Sequence, residues 1–237
     1  MERGGGICYH PPRELSEEEP VRAVLAIAAN TFREAIRDRI LYGILFFAIA
    51  LILFSLVLGQ LSFNEEVRVT IDVGLAGTSF FGVLMAIFLT ITLLHKEIAR
   101  RTIFPLLAKP ISRAQLTLGK FLGLAATLAA LVGLMTAVLF ALLAIQGGRP
   151  GPGLLTAIGL VYLEIVLVIA MALFFTSFSS PFLSGLFCLG LFASGRNADL
   201  LSDLARREGL EWMAPALDGV ATVLPSFYLF YPSGKMV

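Results

Sequence analysis

Hydrophobic and polar residues segregate along this chain over long distances. Residues 40–59, 73–94 and 121–145 carry no charge, and 154–178 carries only Glu164. A hydrocarbon core of roughly 30 Å needs about 20 helical residues to cross it, and each run supplies them. Inside lipid a backbone must satisfy its own hydrogen bonds, and the runs show no two-residue alternation, so they are read as helices and not as barrel strands. A fifth run, 180–194, is uncharged but short; it can cross with tilt or re-enter and turn back, and crossing is the favoured expectation. The stretch 214–232 is broken by Asp218, Pro225 and Pro232 and reads as interfacial or re-entrant.

Amphipathic helices are expected on either side of this bundle. Val21, Val24, Leu25, Ala28, Phe32, Ile36 and Ile40 recur at helical spacing, while Arg22, Arg33, Glu34, Arg37 and Asp38 fall mostly off that stripe. Such a helix is expected to lie in the headgroup plane, the alternative being a plain cytosolic extension of the first spanning helix. Ser16 and Glu19 have capping-box spacing ahead of it. Residues 197–213 form the second, with Trp212 suited to a membrane interface. In 121–145, small residues such as Gly123 and Gly133 point to close helix packing.

The expected fold is an all-α membrane protein, a polytopic helical bundle with five spans plus interfacial helices. It divides into a polar tail (1–20), an amphipathic helix (21–39), a membrane bundle (40–195) with a protruding hairpin at 95–120, and an outer amphipathic and re-entrant segment (196–237). Composition agrees: 57% of residues are hydrophobic and 15% charged, with mean hydropathy +0.86. A net charge of +1 gives no reason to expect nucleic acid as a partner. The two cysteines, Cys8 and Cys188, make no disulfide framework. The first twenty residues lack the apolar core of a cleavable leader.

Charge placement sets an expected orientation. Arg3, Arg13, Arg22, Arg33, Arg37 and Arg39 precede the first span, and Lys96, Arg100, Arg101, Lys109, Arg113 and Lys120 lie between the second and third. The other two connections hold one Arg each, Arg68 and Arg149. Basic and poor regions alternate, which places the N-terminus and the 95–120 segment in the cytoplasm of a multi-pass protein of the cell (inner) membrane.

Chemistry-bearing motifs are missing from the sequence. It contains no G-x-x-x-x-G-K-[ST], H-E-x-x-H or G-x-S-x-G, and its two histidines cannot build a metal cluster. No catalytic residue, metal site or cofactor is therefore assigned, and the chain is not read as an enzyme. Glu164 stands alone inside the fourth span, where a carboxylate costs about 2.5–3.5 kcal/mol on insertion scales. Either it lines a path or relays a proton, or it is a strut bonded to Thr or Ser on a neighbouring helix.

The segment 95–120, HKEIARRTIFPLLAKPISRAQLTLGK, has two halves. Pro105 and Pro110 break it, residues 97–104 can extend the second span, and Ser112 can cap a helix running into the third. Its tip sets Phe104, Leu106 and Leu107 among cations. Binding of anionic lipid, at about 1 kcal/mol per cation, explains the charge but not the apolar residues. Apolar groups rimmed by charge mark a docking element for a cytosolic partner.

The order Glu97, Arg101-Thr102, Leu107, Lys109-Pro110, Ser112-Arg113 and Gly119-Lys120-Phe121 resembles the cytoplasmic loop of type-2 ABC transporter permeases. Residues 31–42, TFREAIRDRILY, resemble the helix that leads into their first span, and 224–232, LPSFYLFYP, the outer segment before their last. The resemblance implies an exporter subunit working as a homodimer or heterodimer. A separate ATPase subunit would bind the ATP, so this chain needs no cofactor of its own. Glu97, Arg100, Arg101, Thr102, Phe104, Lys109 and Arg113 would be the coupling contacts. Family members usually carry a sixth span and a basic tail; after 233–237, SGKMV, neither follows, so the last span is expected to be missing. A secondary transporter or channel, or a membrane scaffold subunit without transport, are the alternatives. The generic apolar spans hint at an amphiphilic cargo.

Overall fold

The computed structural model describes residues 18–60, 66–99, 112–148 and 151–196. These form six helices: α1 (Glu18–Ile36), α2 (Arg39–Gln60), α3 (Glu66–Ala99), α4 (Arg113–Ile145), α5 (Pro152–Thr176) and α6 (Pro181–Arg196). No strand occurs among the described residues. The predicted segments at 197–213 and 214–232 lie outside them.

Four helices, α2 to α5, are long and apolar enough to cross a membrane. The bundle they form is built around α3. It packs against α2, α5, α4 and α6, and its glycines let three of these approach: Gly77 abuts Leu51 of α2, Gly74 abuts Leu139 of α4, and Gly82 abuts Ile165 of α5. Lipid tails are as apolar as a leucine side chain, so helices gain little by merely hiding apolar surface from them. Close backbone packing at small residues is what draws them together. The bulky groups left outside, such as Phe46, Phe47, Phe54 and Leu134, suit a surface bathed in lipid.

Both α3 and α4 outrun the apolar stretches that announced them. Glu66, Arg68 and Asp72 lie in the first turns of α3, and α4 begins eight residues before 121. Once a helix is nucleated, each added residue gains a hydrogen bond, so polar flanks continue it. At its far end α4 stops at a glycine turn. Gly147 has φ +71°, its N–H donates to Ala144 O, and Gly148 N–H donates to Leu143 O. That paired closure satisfies the last carbonyls and needs a left-handed residue, which glycine adopts without strain. Nearby, Gln146 Nε2 donates to Thr70 Oγ1 at 3.0 Å, tying α4 to the start of α3.

Among the described residues four helices are long and apolar enough to cross, one fewer than the five predicted spans. The described part of the fifth segment forms α6, whose 16 residues rise about 24 Å. It runs antiparallel to α3: Gly185 lies against Ile91, and Arg196 reaches Ser79. Arg196 also meets Glu164, the midpoint of α5. By its last described residue α6 has passed along about half of α5.

The face that α1 turns to the protein also differs from the stripe read in the sequence. It consists of Val24, Ile27, Ala28, Thr31 and Ala35, and its chief neighbour is α4. Val21 and Leu25, both in the predicted stripe, are 59% and 58% exposed. Hydrophobicity alone marked the greasy residues. The packing face is instead the side that lies over Gly119 and Gly123 of α4.

Candidate functional site

One end of the bundle gathers the joint between α1 and α2, the exit of α3 and the entry of α4. Asp38 sits in the joint. Ile36 closes α1, Asp38 N–H donates to Ala35 O, and α2 restarts at Arg39. Asp38 Oδ1 accepts from Ile40 N–H at 3.0 Å, so the side chain caps an orphan donor of α2. Its second oxygen accepts from Lys96 Nζ of α3 at 2.7 Å. The Asp38 side chain is 7% exposed and the Lys96 side chain 45%. Burial pushes the Asp38 acid upward, but the bonds from Lys96 and Ile40 and the Lys96 charge outweigh it, so the group sits below the ordinary carboxylate range. An ion pair across 58 residues thus joins the α1–α2 hinge to the last turn of α3.

The entry of α4 is equally specified. Ser112 Oγ accepts from Gln115 N–H at 3.2 Å, and Gln115 Oε1 accepts from Ser112 N–H at 3.0 Å. This reciprocal box realises the cap predicted for Ser112. Two turns on, α1 closes over Gly119 and Gly123. A Cβ on Gly123 would lie 2.6 Å from Ala28 O, and one on Gly119 would lie 3.0 Å from Val24 O. The four-residue step on α4 matches the four-residue step on α1, so the helices run in the same direction at this contact. Between the glycines, Lys120 is 8% exposed, with Glu34 of α1 near enough to interact electrostatically. The α1 helix, the α2 joint, the end of α3 and the start of α4 therefore form one connected assembly.

The predicted coupling residues extend from this assembly. Glu97 lies on the backbone of α3 one residue past Lys96, and Arg113 is the first residue of α4; their side chains lie outside the described residues. Arg100, Arg101, Thr102, Phe104 and Lys109 lie outside them altogether. What the structure supplies is the mount for that connection. By sequence pattern Asp38 is only a polar position off the α1 stripe. Its Asp-Arg-Ile order at a helix start was the available signal, since aspartate is a favoured N-cap.

Glu164 is fully buried, at 0% exposure. Ser79 Oγ of α3 donates to Glu164 Oε2 at 2.8 Å. Arg196 Nη1 of α6 reaches Glu164 Oε1 and Ser79 Oγ, both at 3.0 Å. Three helices meet at this closed triangle of hydrogen bonds. Of the two readings of Glu164, the strut had anticipated a Ser partner. In the sequence Arg196 opens the predicted outer segment 196–237, whereas the structure makes it the last described residue of α6. The usable signal was a lone cation closing one apolar segment and a lone acid inside another, because ionisable groups within a membrane pair with one another. Among the described residues no group of His, Cys, Asp and Glu could hold a metal ion.

A comparison with protein families matches residues 25–184, about two thirds of the chain, to the family described as ABC-2 family transporter protein. The match runs from within α1 into α6. No curated protein matches the chain.

Proposed function

Because the chain belongs to the ABC-2 family transporter proteins, a family of multi-pass membrane transport subunits, we propose that it is the permease subunit of an ATP-driven exporter. A separate ATPase subunit supplies the hydrolysis. The permease works as a dimer, with its N-terminus and the 97–113 connection facing the cytoplasm. The observation that carries this reading is the family match across α1 to α5, which includes that connection.

The geometry at its base supports a coupling role. A partner gripping residues 97–113 pulls on the ends of α3 and α4. Through Lys96 and Asp38 the α3 end is joined to the hinge of α1 and α2. Through Gly119 and Gly123 the α4 start is joined to α1. Displacement of the grip therefore moves three spanning helices together. Packed helix bundles respond to such input by switching between discrete arrangements, as alternation between inward-open and outward-open states requires.

The test is co-purification with a separately encoded ATPase, using R100E/R101E as the disrupting variant. The reading expects the partner to be lost while the permease still reaches the membrane in normal amount. Undiminished binding by the charge-reversed chain overturns the docking role. Transport driven by an ion gradient with no ATPase present overturns the class.

A further inference from the structure

The pair of Glu164 and Arg196 lies away from the proposed coupling site, and Arg196 falls outside the 25–184 match. We infer that α6 is a conditional element of the bundle, docked against α3 and α5 by the Arg196–Glu164 pair more than by its own packing.

The face that α6 buries is poorly equipped to hold it. Ser184, Cys188, Phe192 and Gly195 point inward, and the Ser184 hydroxyl is buried with no hydrogen-bond partner. Phe192 is the one bulky residue buried on this face, and Phe187, 43% exposed, meets the Phe175 ring of α5 at 5.6 Å; other bulky residues point away, Phe182 at 82% exposure and Leu186 at 55%. Exposed to lipid, those groups give no reason for the helix to stay, since lipid solvates them as well as protein does.

The rest of the hold is polar. Arg196 arrives halfway along α5, where an arginine is costly unless matched by an opposite charge. Glu164 supplies that charge, and Ser79 bonds to both partners. The Arg196 guanidinium also lies 5.8 Å from the Phe192 ring centre, which orients it from within α6. Each charge is thus the condition for placing the other. Loss of the pairing frees α6 from α3 and α5 without disturbing the contacts among α2, α3, α4 and α5.

A native reporter is in place. Cys188 is 1% exposed and lies on the docked face of α6. With Cys8→Ser in the full chain, it is the sole thiol. The experiment follows its alkylation by N-ethylmaleimide, a membrane-permeant reagent, in native membranes. Docked α6 reacts slowly, at a rate set by local opening. Glu164→Gln is expected to raise the rate about tenfold or more, since a charge at this depth then loses its counter-ion. The exchanged pair, E164R/R196E, is expected to restore slow labelling. Labelling of Glu164→Gln at the parental rate overturns the inference, as does fast labelling of the exchanged pair. Should Glu164→Gln fail to accumulate, Arg196→Lys and Arg196→Gln decide the matter: slow for Lys and fast for Gln supports it, and equal rates overturn it. No ATPase enters this measurement, so its outcome is independent of the coupling proposal.

Discussion

Lys96→Met and Asp38→Asn remove the same 2.7 Å contact, and the structure predicts that they differ in cost. In Asp38→Asn the amide oxygen can still accept from Ile40 N–H, so the cap on α2 survives. What is lost is an ionic bond to a lysine whose side chain is 45% exposed, which water re-solvates. Discounted for that solvent access, the cost is about 0.5–1 kcal/mol. In Lys96→Met a carboxylate only 7% exposed keeps its charge and loses its strongest partner. An unsatisfied buried group of that kind costs about 1–3 kcal/mol. The double variant D38N/K96M should recover part of this, with a coupling on the order of 1 kcal/mol. The pH dependence should also reverse. In the parent, Asp38 is held low, so its stabilisation is complete above the unfolded value of ~3.9 and is lost as pH falls through the folded value. In Lys96→Met, burial outweighs the remaining Ile40 bond and the folded value rises above ~3.9. Its penalty is then absent in acid and develops as pH rises through that folded value. Thermal unfolding in lipid nanodiscs, followed by far-UV circular dichroism at neutral pH, near pH ~4 and about two units below that, measures both effects. Equal melting temperatures for the two single variants, or the same pH trend in Lys96→Met as in the parent, would refute the asymmetric pair.

Gly123→Val should detach α1, because the new Cβ meets the Ala28 backbone oxygen, at about 1–3 kcal/mol for overpacking. Limited proteolysis should then release the N-terminal helix, whereas Gly133→Ala, with nothing within 4 Å, should leave it protected. Ser112→Ala should cost about 1 kcal/mol of cap energy and speed hydrogen exchange at Gln115 and Leu116 while leaving the distal half of α4 unchanged. Equal exchange in parent and variant would remove the capping box from the account.

How much of this was legible in advance depends on range. The Ser112 cap closes onto Gln115, three residues away, so a local rule found it. Capture of Glu164 by Arg196 spans 32 residues and the tie from Asp38 to Lys96 spans 58; no periodicity encodes either distance. The amphipathic stripe of α1 named the right helix and in part the wrong face. Hydropathy ranks Val21 and Leu25 above Thr31, whereas proximity to Gly123 buries Thr31 to 7% exposure.

The amino-acid order by itself determined that four helices are apolar and long enough for a bilayer, because lipid demands about 20 uncharged residues whose backbone bonds are all internal. It also determined where α4 begins, because capping is a matter of neighbouring residues. Tertiary structure alone decided that α3 is the hub, that Arg196 of α6 meets Glu164 at the middle of α5, and that the joint of α1 and α2 is bonded to the end of α3. Those outcomes depend on which backbones approach closely and which charges meet once they have done so. Both are properties of the packed bundle and not of any segment within it.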